Sequence, residues 1–120
     1  MRLTEEDKKY ILNEHLRHIS CIADKEYQKR VWIYGKGPEV DSFEDTVCDF
    51  FITCDSILEN YKDFRITDNQ YNILRDFRDQ FRIFSDQNNY PEEFIDSSEW
   101  EKITKMAKQV LQEFAYKKSS

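Results

Sequence analysis

Apolar side chains recur along this chain at intervals of three and four residues in four separate stretches, the spacing that puts them on one face of an α-helix. Leu12, Leu16, Ile19 and Ala23 form the first stripe. Ahead of them, Thr4 offers a hydroxyl cap, and Glu5, Glu6 and Asp7 place carboxylates at the positive end of the helix dipole, so a helix is predicted from residue 5 into the twenties. The second stripe is the strongest: Phe43, Val47, Phe50, Phe51, Cys54, Ile57, Leu58 and Tyr61, with Ser42 as cap and Asp45 at the third helical position. Thr67-Asp68-Asn69-Gln70 reads as a capping box, in which threonine and glutamine each satisfy an orphan backbone amide. It opens a third helix whose apolar face is Tyr71, Leu74, Phe77, Phe81 and Phe84, while Arg75, Asp76, Arg78, Asp79 and Arg82 face water or one another across a turn. Asn88-Asn89-Tyr90-Pro91 ends it. The last stripe is Trp100, Ile103, Ala107, Val110, Leu111 and Phe114, capped by Asp96, Ser97 or Ser98, with Lys117 and Lys118 near the negative end of the dipole.

Between the first two helices the pattern changes. Val31-Trp32-Ile33-Tyr34 is apolar and β-prone but only four residues long, compatible with a short strand, an extended plug or the frayed end of helix one; an extended connector is favoured. Both glycines and one of the two prolines follow in Gly35-Lys36-Gly37-Pro38, and the second proline is Pro91. Scarce punctuation elsewhere fits long helices. The expectation is an all-α, compact single-domain bundle of about four helices spanning residues 1–120, packed largely antiparallel around an aromatic-rich core. The connection from residue 24 to 41 is long enough for a different route. No internal repeat or low-complexity segment interrupts the chain.

Composition narrows the function. Aromatic residues are 15% of the chain, enough to fill a core, while charged residues are 35% and the net charge is −6, which disfavours direct nucleic-acid binding and any membrane role. No apolar run approaches the ~20 residues that cross a bilayer, and the first residues lack the apolar stretch of a secretory leader, so a cytoplasmic protein is expected. Cys21, Cys48 and Cys54 form neither a CxxC pair nor an even set, which suits a reducing compartment and packing thiols; six residues apart, Cys48 and Cys54 point to different helix faces.

Signals for catalysis are weak. His15 and His18, with Glu14 and Cys21 nearby, suggest a metal site, but a helical zinc-protease motif needs histidines four apart, and a closed site needs four converging ligands. No nucleophile elbow or phosphate-cradling glycine loop is present. Asp45 and Asp49 lie four apart, as two carboxylates on a solvated helix face also would. No enzyme, cofactor or metal is therefore expected. Charge distribution says more: residues 39–63 hold eight carboxylates (Glu39, Asp41, Glu44, Asp45, Asp49, Asp55, Glu59, Asp63) against Lys62 alone, so almost the entire net charge sits in one loop-helix segment. Such a face serves solubility in many proteins; it also selects and steers a basic partner.

Three segments carry a family resemblance: Gly37-Pro38-Glu39-Val40-Asp41-Ser42-Phe43-Glu44-Asp45, Ile57-Leu58-Glu59-Asn60-Tyr61-Lys62-Asp63-Phe64, and Pro91-Glu92-Glu93-Phe94-Ile95-Asp96-Ser97-Ser98-Glu99-Trp100. Over roughly residues 31–115 the chain resembles the helical immunity proteins of bacterial contact-dependent growth inhibition systems. The resemblance implies an inhibitor that binds one cognate toxin domain, often a nuclease, and occludes its active site or substrate groove. A nuclease presents Lys and Arg to phosphates, and carboxylates could take the phosphates' place. On charge and expected exposure, Glu39, Asp41, Glu44, Asp45 and Asp49 are the candidate contacts, with Trp32 or Tyr34 as aromatic anchor. The alternatives are a small metal-dependent enzyme using Glu14, His15 and His18, and an acidic nucleic-acid mimic that blocks DNA-binding proteins.

Overall fold

The computed structural model describes residues 3–116, so Lys117 and Lys118 lie outside the described residues. Four long helices form where apolar spacing places them: α1 (Glu5–Ala23), α3 (Phe43–Glu59), α4 (Asp68–Gln87) and α6 (Ser98–Glu113). Their caps are the expected ones. Thr4 and Thr67 each complete a reciprocal capping box, with Asp7 and Gln70, while Ser42 and Ser97 accept from the amides of Asp45 and Trp100 at 3.1 Å.

Two short helices, α2 (Lys25–Tyr27) and α5 (Pro91–Phe94), raise the number of α-helices among the described residues to six rather than about four. Each is too short to leave a periodic signature. Asp24 caps α2 by accepting from the amide of Tyr27 at 3.2 Å, and Pro91 opens α5 at the first-turn position where its missing N–H costs nothing.

The expected extended connector at Val31–Tyr34 is not extended. α2 runs straight into a π-helical segment, Gln28–Ile33, with Tyr34 as its C-cap. Its wide turn closes with the Tyr34 amide on the Lys29 carbonyl at 3.0 Å and the Lys36 amide on the Arg30 carbonyl at 2.8 Å, before Gly35 leaves with φ +61°. β-propensity loses here because the segment begins with a side chain anchored in the core. Gln28 is fully buried; its Nε2 donates to the carbonyls of Cys21 and Ile22 at 3.0 and 2.7 Å, and its Oε1 accepts from the indole Nε1 of Trp100 at 2.9 Å. One amide thus caps the end of α1, fixes the start of the π segment and holds the central tryptophan of α6.

Contacts fix the topology. Glu5 of α1 reaches Arg65 beyond the end of α3 (3.6 Å) while His15 stacks on Phe50, so α1 and α3 are antiparallel. Asp55 meets Arg78 and Phe43 meets Phe81, making α3 and α4 antiparallel too. Asn69 bonds Glu113 at one end of the α4–α6 pair and Phe84 packs on Trp100 at the other. With α6 also against α1, the long helices form an up-down-up-down square in a body of 40 × 29 × 26 Å. Its centre is aromatic: Phe50, Phe77, Phe81 and Trp100 are buried, with Phe50 edge-on to Phe77 and Phe81 at 5.4 and 5.2 Å.

Gln28→Leu strips the indole N–H of its acceptor and the end of α1 of its cap. A buried polar group without a partner costs about 1–3 kcal/mol, so urea denaturation should show a loss of about 3 kcal/mol; a loss under about 1 kcal/mol would mean the amide is dispensable.

Candidate functional site

The acidic segment divides into carboxylates used inside the molecule and carboxylates left on its surface. Asp41 belongs to the first group. Its Oδ2 accepts from the Tyr27 hydroxyl at 2.8 Å and the Trp32 indole N–H at 3.0 Å, and Thr46 Oγ1 donates to both carboxylate oxygens at 3.1 and 3.0 Å. Three elements meet on this one side chain: α2, the π segment and the first turn of α3. Burial, with the bond to Asp41 second, pushes the Tyr27 phenol above its ordinary range, so it stays a donor. Asp41, expected to face a partner, is half-buried with its carboxylate already engaged by internal donors, a latch that holds the connector against the bundle.

Trp32 is engaged inside the molecule in the same way. It is half-buried, edge-on to Phe43 at 5.5 Å, to Trp100 at 6.2 Å and to Tyr27 at 6.3 Å, with its N–H spent on Asp41. Glu39 is engaged too, both its oxygens taken by the Arg30 guanidinium at 2.7 Å in a bidentate fork. Arg30 also donates to the Lys36 carbonyl at 3.1 Å, and a side chain at Gly37 would collide with the fork, so the glycine there allows the loop to fold over it. Further along, Asp55 takes the Arg78 Nε at 2.6 Å and has Arg82 at 4.0 Å; the arginines of α4 neutralise this position.

Glu44, Asp45 and Asp49 are exposed, and none has an ion-pair partner among the described residues. Glu59 continues the row. Helix α3 carries no Lys or Arg, and its outer stripe runs Asp45, Asp49, Ile52, Ser56, Glu59 at three- and four-residue steps. Ile52, 72% exposed, is an apolar contact that sequence reasoning passed over, although its position off the buried stripe was readable from the spacing. Tyr34 is 65% exposed with the Lys36 ammonium 5.8 Å from its ring, and Val40 on the same connector is bare. The acidic candidates that remain on the surface are thus Glu44, Asp45 and Asp49, with Tyr34 as the aromatic one.

The histidines do not form a metal set. Among the described residues no group of three His, Cys, Asp or Glu side chains converges. Glu14 is held by Arg17 at 3.0 and 3.1 Å, and His15 is buried with its ring stacked on Phe50 at 5.0 Å. Neither ring nitrogen of His15 has a partner, and burial, with the nearby His18 second, pulls its pKa from 6.5 down to about 3. Burial and then Arg17 lower His18 as well, against the opposing pull of Asp49. Of the cysteines, Cys54 is buried and its thiol pushed far up by burial, Cys21 is half-buried, and Cys48 is exposed, so Cys48 is not the packing thiol expected of it.

Comparison with protein-family models, curated proteins and solved structures returns no match to this chain.

Two outcomes follow from these placements. Asp41→Ala should cost about 2 kcal/mol, because three donors lose one acceptor, whereas Asp45→Ala and Asp49→Ala should each stay within about 0.5 kcal/mol; thermal and urea unfolding separate the two classes. For His15, the folded state disfavours the proton that the unfolded chain accepts below pH 6.5, so its stabilising effect is complete at neutral pH and is lost as pH falls from 6.5 towards 3. Stability of the wild type relative to His15→Leu should therefore rise with pH across that window by up to about 1.4 kcal/mol per unit; parallel pH profiles would show that His15 is not the titrating group.

Proposed function

We propose that this protein is an immunity protein that binds a cognate cationic toxin, a nuclease by preference, and covers its active site or substrate groove with the outer face of α3. One observation carries the reading: Asp45, Asp49 and Glu59 stand in one stripe with the exposed Ile52 on a helix without a cation, and Glu44 is exposed beside them. Carboxylates already held by internal donors, as Asp41 is, would have to break those bonds to bind a partner; these four do not. A row of uncompensated charge accelerates encounter with a basic surface and rejects acidic ones. An apolar side chain within the row supplies the water-excluding contact that charge alone lacks. The resemblance of the connector, the end of α3 and the α5–α6 segment to immunity proteins of contact-dependent growth inhibition gives the partner its class.

Such a partner would be encoded immediately upstream, as the basic C-terminal domain of a very large secreted protein. Purified in a catalytically silent form, that domain should bind this protein, and Asp45→Lys/Asp49→Lys should slow association by about tenfold at low salt, with the difference shrinking as ionic strength rises. The same double variant should lose protection when co-expressed with the active toxin while its stability falls by no more than the roughly 1 kcal/mol that a lysine in the first turn of α3 costs. Full protection by the variant moves the interface off α3; equal binding to unrelated DNA-binding proteins replaces the cognate inhibitor with a nucleic-acid mimic.

A further inference from the structure

α4 and α6 pack against each other, and beside them lies a groove of about 900 Å³ that also takes Glu93 and Phe94 of α5 and that no residue of α3 lines. Phe84, Phe94 and Ile103 form its floor, and Met106 and Ile83 stand at its mouth. A single exposed isoleucine is unremarkable on a protein surface. Ile83 is different in its setting: 56% exposed, it lines the same groove as the apolar floor, with Asp79, Gln80 and Gln87 of its own helix beside it. Methionine at the other lip adds a side chain that adjusts its shape to what lies against it.

The rim is acidic on balance. Glu93 and Glu99 border the trough without an ion-pair partner among the described residues, and Asp76 and Asp79 border it while sharing their charge with Arg75 and Arg78 of the same helix. Lys102 is the one cation among the lining residues. A groove with an apolar floor between two antiparallel helices accepts a third helix, whose side chains at i, i+3 or i+4 and i+7 enter it in turn. An acidic rim selects Lys and Arg on either side of that apolar stripe. A second copy of this chain, with its own net charge of −6, fits the rim poorly.

We infer that the α4–α6 groove is a docking site for a basic amphipathic helix presented by another protein. The inference stands apart from the α3 reading, because the two surfaces share no residue.

The test uses the full-length protein and a fluorescent synthetic helix of about sixteen residues, the length of α6, with leucines at i, i+4 and i+7 and lysines flanking them. A scrambled peptide of equal composition, without the leucine stripe, is the control. Fluorescence anisotropy should show single-site binding of the patterned peptide, weakened about tenfold by scrambling and about tenfold by Ile83→Lys, which the exposure of that position lets the fold accept. Asp45→Lys/Asp49→Lys should change the affinity by less than about twofold, so loss of the α3 interface and loss of the groove are read separately. Equal binding of the two peptides, or wild-type affinity in Ile83→Lys, overturns the inference. So does sedimentation of the wild type as a dimer that Ile83→Lys dissolves, since the groove would then be covered by a second copy.

Discussion

Burying a glutamine costs several kcal/mol unless its amide finds partners, and Gln28 finds three: two carbonyls at the end of α1 and the indole of Trp100. The positions of these partners explain the rest of the connector. The last carbonyls of a helix need donors, and here the donor arrives from the next element, so α1 cannot end without drawing α2 and the π segment back over its tip. Trp100 then points its N–H at the same amide, which sets the rotation of α6 against α1. The aromatic cluster of Phe43, Phe84, Phe94 and Trp100 forms around an indole whose orientation is already determined.

Asp41 does at the far end of the connector what Gln28 does at its start. Charge-assisted bonds are roughly twice as strong as neutral ones, and this carboxylate gathers three donors from three elements. The Arg30–Glu39 fork closes the loop between them. A segment with two glycines and a proline is thereby tied down at three points, and the first turn of α3 enters the bundle from a defined direction. Charge that looks like one acidic patch along the chain is therefore divided in space: Glu39 and Asp41 organise the connector, Asp55 ties α3 to α4 through Arg78, and Glu44, Asp45, Asp49 and Glu59 have no ion-pair partner among the described residues.

That division marks the limit of what the sequence reveals. The four long helices, their caps and the aromatic core were legible because each depends on residues three or four apart, within reach of a periodicity argument. Thr67 with Gln70 and Ser97 with the Trp100 amide are local bonds of this sort. The helical state of Val31–Ile33 was not legible, because it rests on a bond between Gln28 and a residue 72 positions away. Nor was the role of Asp41, which sits in a run of acids and differs from Asp45 only in having Tyr27, Trp32 and Thr46 around it. The surface candidates Glu44, Asp45 and Asp49 could be read from spacing alone, since a helix that buries Phe43, Thr46 and Phe50 must expose them.

Charge and apolar surface make different contributions to recognition, and this molecule separates them. On α3 the acids dominate and a lone Ile52 offers little area, so that face suits rapid capture more than long residence; charge chiefly sets the encounter rate. In the α4–α6 groove the balance shifts, with Ile83 and Met106 beside a floor of Phe84, Phe94 and Ile103 among polar lining residues, an arrangement in which desolvated contact area slows dissociation. Both surfaces lean acidic, so on the proposed reading both favour the same kind of partner, although the floor of the groove, Phe84, Phe94 and Ile103, also belongs to the core. A rigid bundle suits this division of labour, because a surface that does not rearrange on binding loses little conformational entropy when a partner arrives. The internal latches at Gln28 and Asp41 would serve the proposed recognition without touching a partner, because they tie the connector down next to the first turn of α3, where the exposed acids begin.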